Sequence, residues 1–425
     1  MARMKYVALV IAVAACGRQL NPEFCARNPD DKDCRGTDLV AVDAPPGCKT
    51  NADCGDPARG VCEVSSGACE QCVPEVDTNA CTGSTAICGD DRMCHGCIVD
   101  TDCPASDVCL PSGSCATSSD VLYVAPRGTG TCDIGAPCSL PMAIGLLTTT
   151  RNIIKLTTAQ GALYDADPKL VLDKPHAVTL LGIGATFTPT NDGIAIAVTA
   201  GDVTIDGLTV TGAKGPMSAG IACTNATLRL RRVTSTTNAE LGVKTTGCMA
   251  TIERSRFSRN PKGGMLLSGG TLEVRNNIID GNGTPTLKDG SVQIAMAGGR
   301  FVFNTVADNL SENGGGGRTS GVKCTRTGTF LVAHNIIVAN GGANAATSGD
   351  CSIVDNYVAK DAAAVRFAGA GNYHLTAQTP VTNPIIRDDP NADADCKVNG
   401  EYVDDFDGQP RPYQLCDRGA DEYRP

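Results

Sequence analysis

Seven basic residues crowd one stretch of the chain: Arg231, Arg232, Arg254, Arg256, Arg259, Lys262 and Arg275. A guanidinium is a planar fork of N–H donors that matches the two oxygens of a carboxylate or the edge of a sulfate. Gathered on one outer face, such forks would grip an acidic glycan, and Arg231, Arg254, Arg256 and Arg275 are taken as the candidate contacts. The plainer reading of the same residues is a solvated face. A second cluster, Asp393, Asp395, Asp404, Asp405 and Asp407, supplies hard oxygen ligands of the kind calcium prefers, although the twelve-residue calcium-loop pattern is absent. Sugar hydrolysis would want two carboxylates opposed across a groove, with aromatic platforms beneath the sugar rings. The chain has no tryptophan and only 4% aromatic residues, so those platforms are poorly supplied. His176, His334 and His374 share no spacing, and no catalytic residue is assigned.

The elements that must position these side chains are legible in a repeat. Asparagine recurs at Asn238, Asn260, Asn282, Asn309 and Asn340, at intervals of 22, 22, 27 and 31 residues. Such a period is one turn of a solenoid, and its irregularity argues against stacked helical repeats. Carrying those intervals through the sequence gives an apolar column, Leu208, Leu230, Ile252, Val274, Phe301 and Val332. Two residues earlier lies a second column, Asp206, Leu228, Ala250, Leu272, Gly299 and Phe330, with two exceptions to its apolar character. Inward positions at period two are the mark of short strands. Between the columns Arg231, Glu253 and Arg275 fall on one outward line, where strands about 4.8 Å apart would set a glutamate between two arginines. A further ladder of Asn277, Asn304 and Asn335 suits stacked amides at a bend. The fold class expected is all-β, a parallel β-helix preceded by a disulfide-rich region of small modules.

Cysteine usage sets the compartment. Of 23 cysteines, twelve form three units of four: Cys48, Cys54, Cys62, Cys69; Cys72, Cys81, Cys88, Cys94; and Cys97, Cys103, Cys109, Cys115. These units hold too few large apolar residues for a core, so disulfides must hold them, which places the chain in an oxidising compartment. The two-residue gaps Cys69 to Cys72 and Cys94 to Cys97 match zinc knuckles in spacing but fall between units, which favours disulfides. Ten more cysteines form local couples, Cys25 with Cys34, Cys132 with Cys138, Cys223 with Cys248, Cys324 with Cys351, and Cys396 with Cys416. Setting those twenty-two aside leaves Cys16. It follows Arg3, Lys5 and an apolar run from Tyr6 to Ala15 that is too short to span a bilayer.

Val13-Ala14-Ala15-Cys16 resembles the lipobox of bacterial lipoprotein signal peptides, which implies cleavage before Cys16, lipid attachment to it and, with Gly17 following, sorting to the outer membrane. The expected domains are a signal peptide at 1–15, a polar tether at 16–47, Cys-rich repeats at 48–116, a β-helix at 121–375 with a capping helix over 140–147, and a C-terminal cap or tail at 376–425. The stretch 313–320, a glycine run before a hydroxyl pair, is expected to be a flexible excursion from the solenoid. The opening Tyr123-Val124-Ala125-Pro126, the Asn-Thr-Val turn at Asn304, and the closing 407–412 and 419–423 segments resemble bacterial right-handed parallel β-helix proteins of the pectin-lyase-like superfamily, over about residues 121–425. The Cys-rich units are similar to those of surface lipoproteins from myxobacteria. The resemblance implies a right-handed coil shared by lyases, glycosidases, adhesins and proteins without activity, so function must rest on a site. Family lyases use calcium held by carboxylates on neighbouring turns and an arginine or lysine as base. No acidic column fits that pattern here. The expectation is a lipid-anchored surface protein that contacts an extracellular polysaccharide or another surface protein without catalysis, with a polysaccharide lyase or glycoside hydrolase as the alternative. No cofactor is expected, calcium at the aspartate cluster being the one exception. With a net charge of −10 and no dense basic stretch, nucleic acid is not expected as a partner.

Overall fold

A computed structural model describes residues 47–425, apart from 75–80, 82–84, 86, 159–162, 288–290, 313–318, 342–346, 383–385, 393–395, 399–400 and 413. The signal peptide, Cys16, Cys25, Cys34, the tether up to residue 46, residues 313–318 of the glycine-rich excursion, Asp393 and Asp395 therefore lie outside the described residues. Contacts divide the chain into two compact units that meet between His95 and Gly96. In the first unit, each of the two Cys-rich modules pairs its first cysteine with its third and its second with its fourth: Cys48–Cys62 and Cys54–Cys69, then Cys72–Cys88 and Cys81–Cys94. Two short hairpins, Val61–Glu63 with Ala68–Glu70 and Ile87–Cys88 with Cys94–His95, complete them.

The second unit holds the third module and the coil. Three sheets, of twelve, nine and eight strands among the described residues, form the three faces of the coil, and all their pairings are parallel except that of Thr129–Asp133 with Ala136–Cys138. A representative turn passes through Thr227–Arg231, Thr234–Thr236 and Leu241–Thr246, then starts again at Met249–Glu253. Leu230, Ile252 and Val274 are successive register partners with side chains sealed in the interior, as expected. The columns do not begin where the 22-residue interval placed them. Asp206 pairs with Arg231, a turn of 25 residues, so Ile205 and not Leu208 heads the first column and Val203 and not Asp206 heads the second. This removes one of the two polar exceptions. The other, Gly299, holds φ at +114°, and a Cβ there would lie 2.0 Å from the Leu272 carbonyl oxygen, so the position admits no side chain.

Each turn bends three times, and the bends that flank the second face are built alike. One residue takes a left-handed backbone, for example Arg254 at φ 51° or Arg259 at φ 55°, and in the later turns an asparagine follows it. Asn282 shows the wiring. Its Nδ2 donates to the Phe257 and Asp280 carbonyls at 2.8 and 3.1 Å and to Asn309 Oδ1 at 2.9 Å. Its Oδ1 accepts from the N–H and Nδ2 of Asn260, each at 3.0 Å. The ladder runs unbroken from Asn238 to Asn340, and the second from Asn277 through Asn304 and Asn335 to Asn356. Cys223–Cys248 and Cys324–Cys351 tie neighbouring turns, while Cys132–Cys138 and Cys396–Cys416 close local loops, as their spacings suggested.

Both ends of the second unit fold against the coil. The helix α1, Leu140–Leu146, starts at Ser139, whose hydroxyl accepts from Met142 N–H, and it buries Leu140 and Ala143 over the first turn. Val121, Tyr123, Ile153 and Leu181 face outward from the first sheet and would be exposed apolar surface on a bare coil. The third module, held by Cys97–Cys109 and Cys103–Cys115, covers them with Val108 and Ala116. The last coil strand is Tyr357–Ala359, short of the expected limit at residue 375. Residues beyond it turn back along the side of the coil: Gly419 N–H reaches the His334 carbonyl at 2.9 Å, and Ala420 N–H reaches Thr305 Oγ1 at 3.0 Å. That segment buries the outward-facing Ile278, Ile336 and Val338 under Val365, Tyr373, Leu375 and Ala420.

Replacing Asn282 by alanine strips two donors of their acceptor and two carbonyls of their donor inside a dry bend, so a loss of about 3 kcal/mol is expected. Asn340→Ala, at the half-buried end of the same ladder, is expected to cost about 1 kcal/mol. Urea unfolding of the two variants checks the ratio.

Candidate functional site

One groove stands out in the second unit, with a volume of about 650 Å³. Its floor is the coil, at Arg231, Arg232 and Arg254. One wall is the third module, from Ile98 to Asp100 and from Leu110 to Gly113, and the other is Asp404, Asp407 and Gly408 of the returning C-terminal segment. The floor follows from the bend. Arg231 ends a first-face strand, and Arg232 and Arg254 sit at its left-handed corner in two successive turns, so their side chains leave the coil along one edge.

Each guanidinium is held differently. Arg232 forms a two-pronged pair with Asp206 of the preceding turn, at 2.7 and 2.6 Å, and that carboxylate is fully buried. The pairing raises the Arg232 pKa. Arg254 keeps only 11% of its side chain exposed, 3.4 Å from Asp404 and 3.5 Å from the Phe406 carbonyl. Burial and then the neighbouring Arg231 and Arg232 charges push its pKa below the usual arginine range, with Asp404 opposing them. Arg231 donates to the Pro111 carbonyl at 3.1 Å and lies 3.9 Å from Glu253. Glu253 is engaged more closely by Arg275, at 3.1 Å through Nε and 2.5 Å through Nη2, which fulfils the expected Arg-Glu-Arg line.

Of the four arginines read as glycan contacts, Arg231 and Arg254 therefore share the groove floor, and Arg275 sits beside it in a smaller cleft with Val403 and Asp404. Arg256 is elsewhere. It lies on the second face, clamped to Asp280 by two 2.8 Å bonds and donating to the Gly371 carbonyl. Arg232, in the basic stretch but not among the four, completes the floor. The sequence signal for it was the bend itself, since the residue before each corner position shares its edge.

The three described aspartates of the expected calcium cradle, Asp404, Asp405 and Asp407, face different partners. Asp404 faces Arg254, and Asp405 is buried and accepts from the N–H groups of Gln409 and Glu422. Burial is the main force pushing the Asp405 pKa upward. Asp407 instead meets His374 Nε2 at 2.8 Å, and Asp421 joins them, with one potential ligand atom from each lying within 4.8 Å of the others. Burial foremost pushes Asp421 up to about 7. None of these separations along the chain made that trio visible beforehand. The gaps that suggested zinc knuckles are occupied by disulfides, so Cys69, Cys72, Cys94 and Cys97 have no thiolate to offer.

Residues 192–358, which span most of the coil, match the family model described as a right handed beta helix region. The coil has the fold of a right-handed parallel β-helix. Among solved structures it is similar to a crystal structure of pectate lyase Pel9A, with 14% identity, a TM-score of 0.44, and coverage of 72% of this chain and 96% of that one. A likeness at that level carries no argument about the site. No curated protein matches the chain.

The segment lying along the β-helix carries its own titration. Asp417 is pushed up to about 8, by burial first and then by Glu422, against the pull of N–H donors from Tyr423 and Asp388. Its folded pKa thus stands above the unfolded value, so the folded chain holds a proton that the unfolded chain releases. The stability this proton confers is greatest in mild acid and is lost as pH rises through about 8. Melting temperature measured in chelator is expected to fall between pH 5 and pH 8, and Asp417→Asn to flatten that slope.

Proposed function

We propose that this chain is a lipoprotein, anchored to the outer membrane through Cys16, that presents its β-helix to bind an anionic extracellular glycan without turning it over. The observation that carries the reading is the groove floor of Arg231, Arg232 and Arg254. Three guanidiniums along one edge offer paired donors to carboxylate or sulfate groups spaced along a polymer. The walls suit the rest of a sugar, because Leu110, Pro111 and Ile183 give its apolar faces something to lie against. The Asp206 and Asp404 carboxylates hold two of the arginines in place before a ligand arrives, which lowers the ordering cost of binding. Arg231 has the loosest carboxylate partner of the three, at 3.9 Å, and is the contact most open to a new anion. The dense disulfides fit an exported protein.

A polysaccharide lyase is the second reading, and one observation favours it. Arg254 is desolvated and flanked by two like charges, which eases loss of its proton in the direction a lyase base requires. Binding and turnover are separable in one experiment on polygalacturonate, alginate and sulfated glycans, with and without calcium. Retention of an anionic glycan, weakened about tenfold by Arg231→Ala, is expected, with no unsaturated product. Ultraviolet absorbance from unsaturated ends that disappears in Arg254→Ala would establish the lyase instead. For the anchor, Cys16→Ala is expected to move the protein from the membrane fraction to the soluble fraction, and unchanged sedimentation with membranes would refute the lipid.

A further inference from the structure

We propose that His374, Asp407 and Asp421 bind one divalent transition-metal cation, which latches the C-terminal segment along the β-helix. The inference does not depend on the glycan reading, and it concerns different side chains from Asp404 and Asp405. One imidazole nitrogen and one oxygen from each carboxylate already lie within 4.8 Å of one another. Zinc-type sites hold such ligands about 2.0–2.2 Å from the ion, hence about 3.4 Å from each other, so closure needs a shift of little more than about 1 Å.

Two further observations point to a cation. The His374 ring is oriented from behind: its Nδ1 is held by Asn372 Oδ1, an oxygen that also accepts the His374 backbone N–H at 3.3 Å. This leaves Nε2 facing Asp407, the arrangement by which proteins aim a ligating imidazole. Asp421 is only 6% exposed, yet among the described residues its carboxylate receives one hydrogen bond, from Leu375 N–H at 2.6 Å. A carboxylate has room for about four donors, so a buried one with a single donor has acceptor capacity that a cation would fill. One nitrogen with two carboxylate oxygens suits zinc, cobalt, nickel or manganese, whereas calcium and magnesium favour all-oxygen sites.

The position gives the cation mechanical consequence. Tyr373, beside His374, donates through its hydroxyl to Asp308 of the coil at 2.6 Å, and Ala420, beside Asp421, is bonded to Thr305. Asp407 lies on the stretch that walls the groove over Arg254. A bound ion would add a cross-link between three stretches of the segment, which also meet through the Phe406 N–H to Ala420 carbonyl bond at 2.8 Å and the Leu375 N–H to Asp421 bond at 2.6 Å. A metal ligand must be free of its proton, so binding would release to solvent any proton held by these three groups.

The test uses the full chain with disulfides intact, stripped with EDTA and dialysed. Cobalt(II) titration is expected to give visible absorbance saturating at one equivalent, and zinc to raise the melting temperature by several degrees while calcium does not. His374 is 42% exposed, so His374→Ala should fold normally. Both it and Asp407→Asn are expected to weaken cobalt binding at least about tenfold and to abolish the zinc shift, with metal-free urea unfolding unchanged for His374→Ala. Absence of cobalt binding to the parent chain, binding retained in both variants, or a calcium shift equal to that of zinc would each overturn the site.

Discussion

In-register stacking of the bends is the constraint on which the molecule depends. Each corner needs one residue in the left-handed region, which costs an ordinary side chain roughly 1–3 kcal/mol. Along the first corner these residues are Gly207, Arg232, Arg254, Asn276, Phe303 and His334, so only the earliest is a glycine. The next residue along the chain offsets that cost. Asn277, Asn304 and Asn335 saturate the carbonyls that the bend frees and pass their own oxygen to the turn before. Because each amide is satisfied by its neighbour along the coil axis, a turn that slipped register would leave several buried polar groups unpaired at once.

The same corner line shapes the groove. Arg232 and Arg254 on it make the groove floor, and Asn276, Phe303 and His334 further along make the platform for the returning segment. Asn276 Nδ2 reaches the Asp404 carbonyl, Phe303 and His334 stack with ring centres 5.3 Å apart, and the buried Arg411 guanidinium lies 5.0 Å from the Phe303 ring. A left-handed residue projects its side chain away from the coil interior, so a large group there meets either solvent or a partner. In the early turns the position stays open to the groove, and in the later turns it is closed by residues 360–425.

How much of this could be read beforehand depends on which interactions are periodic. The columns at Leu230, Ile252 and Val274, the Arg231-Glu253-Arg275 line and both asparagine ladders repeat once per turn, so spacing alone exposes them. Leu208 and Asp206 fall out of their columns because the interval between later asparagines does not hold in a turn three residues longer. The fold-back was not legible, since Gly419 to His334 and Ala420 to Thr305 are aperiodic and distant in the chain. Its trace was nevertheless present. Ile278, Ile336 and Val338 are apolar on the outer face, and an outer face stays apolar in water only if something covers it. The His374, Asp407 and Asp421 trio depends wholly on that fold-back and had no spacing to betray it.

The three Cys-rich modules make the same point in reverse. They share one disulfide pattern and nearly one length, yet only the third groups with the coil. The difference lies in the seat that the coil offers. Tyr123, Ile153 and Leu181 give the third module an apolar surface, Tyr123 donates its hydroxyl to the Ser106 carbonyl, and Lys155 pairs with Asp100. A module that cannot build a core of its own gains one by sharing the outer face of the first sheet. That docking raises the wall opposite Asp404, so the groove exists because two segments with no coil periodicity found apolar ground on either side of the Arg232 and Arg254 corner.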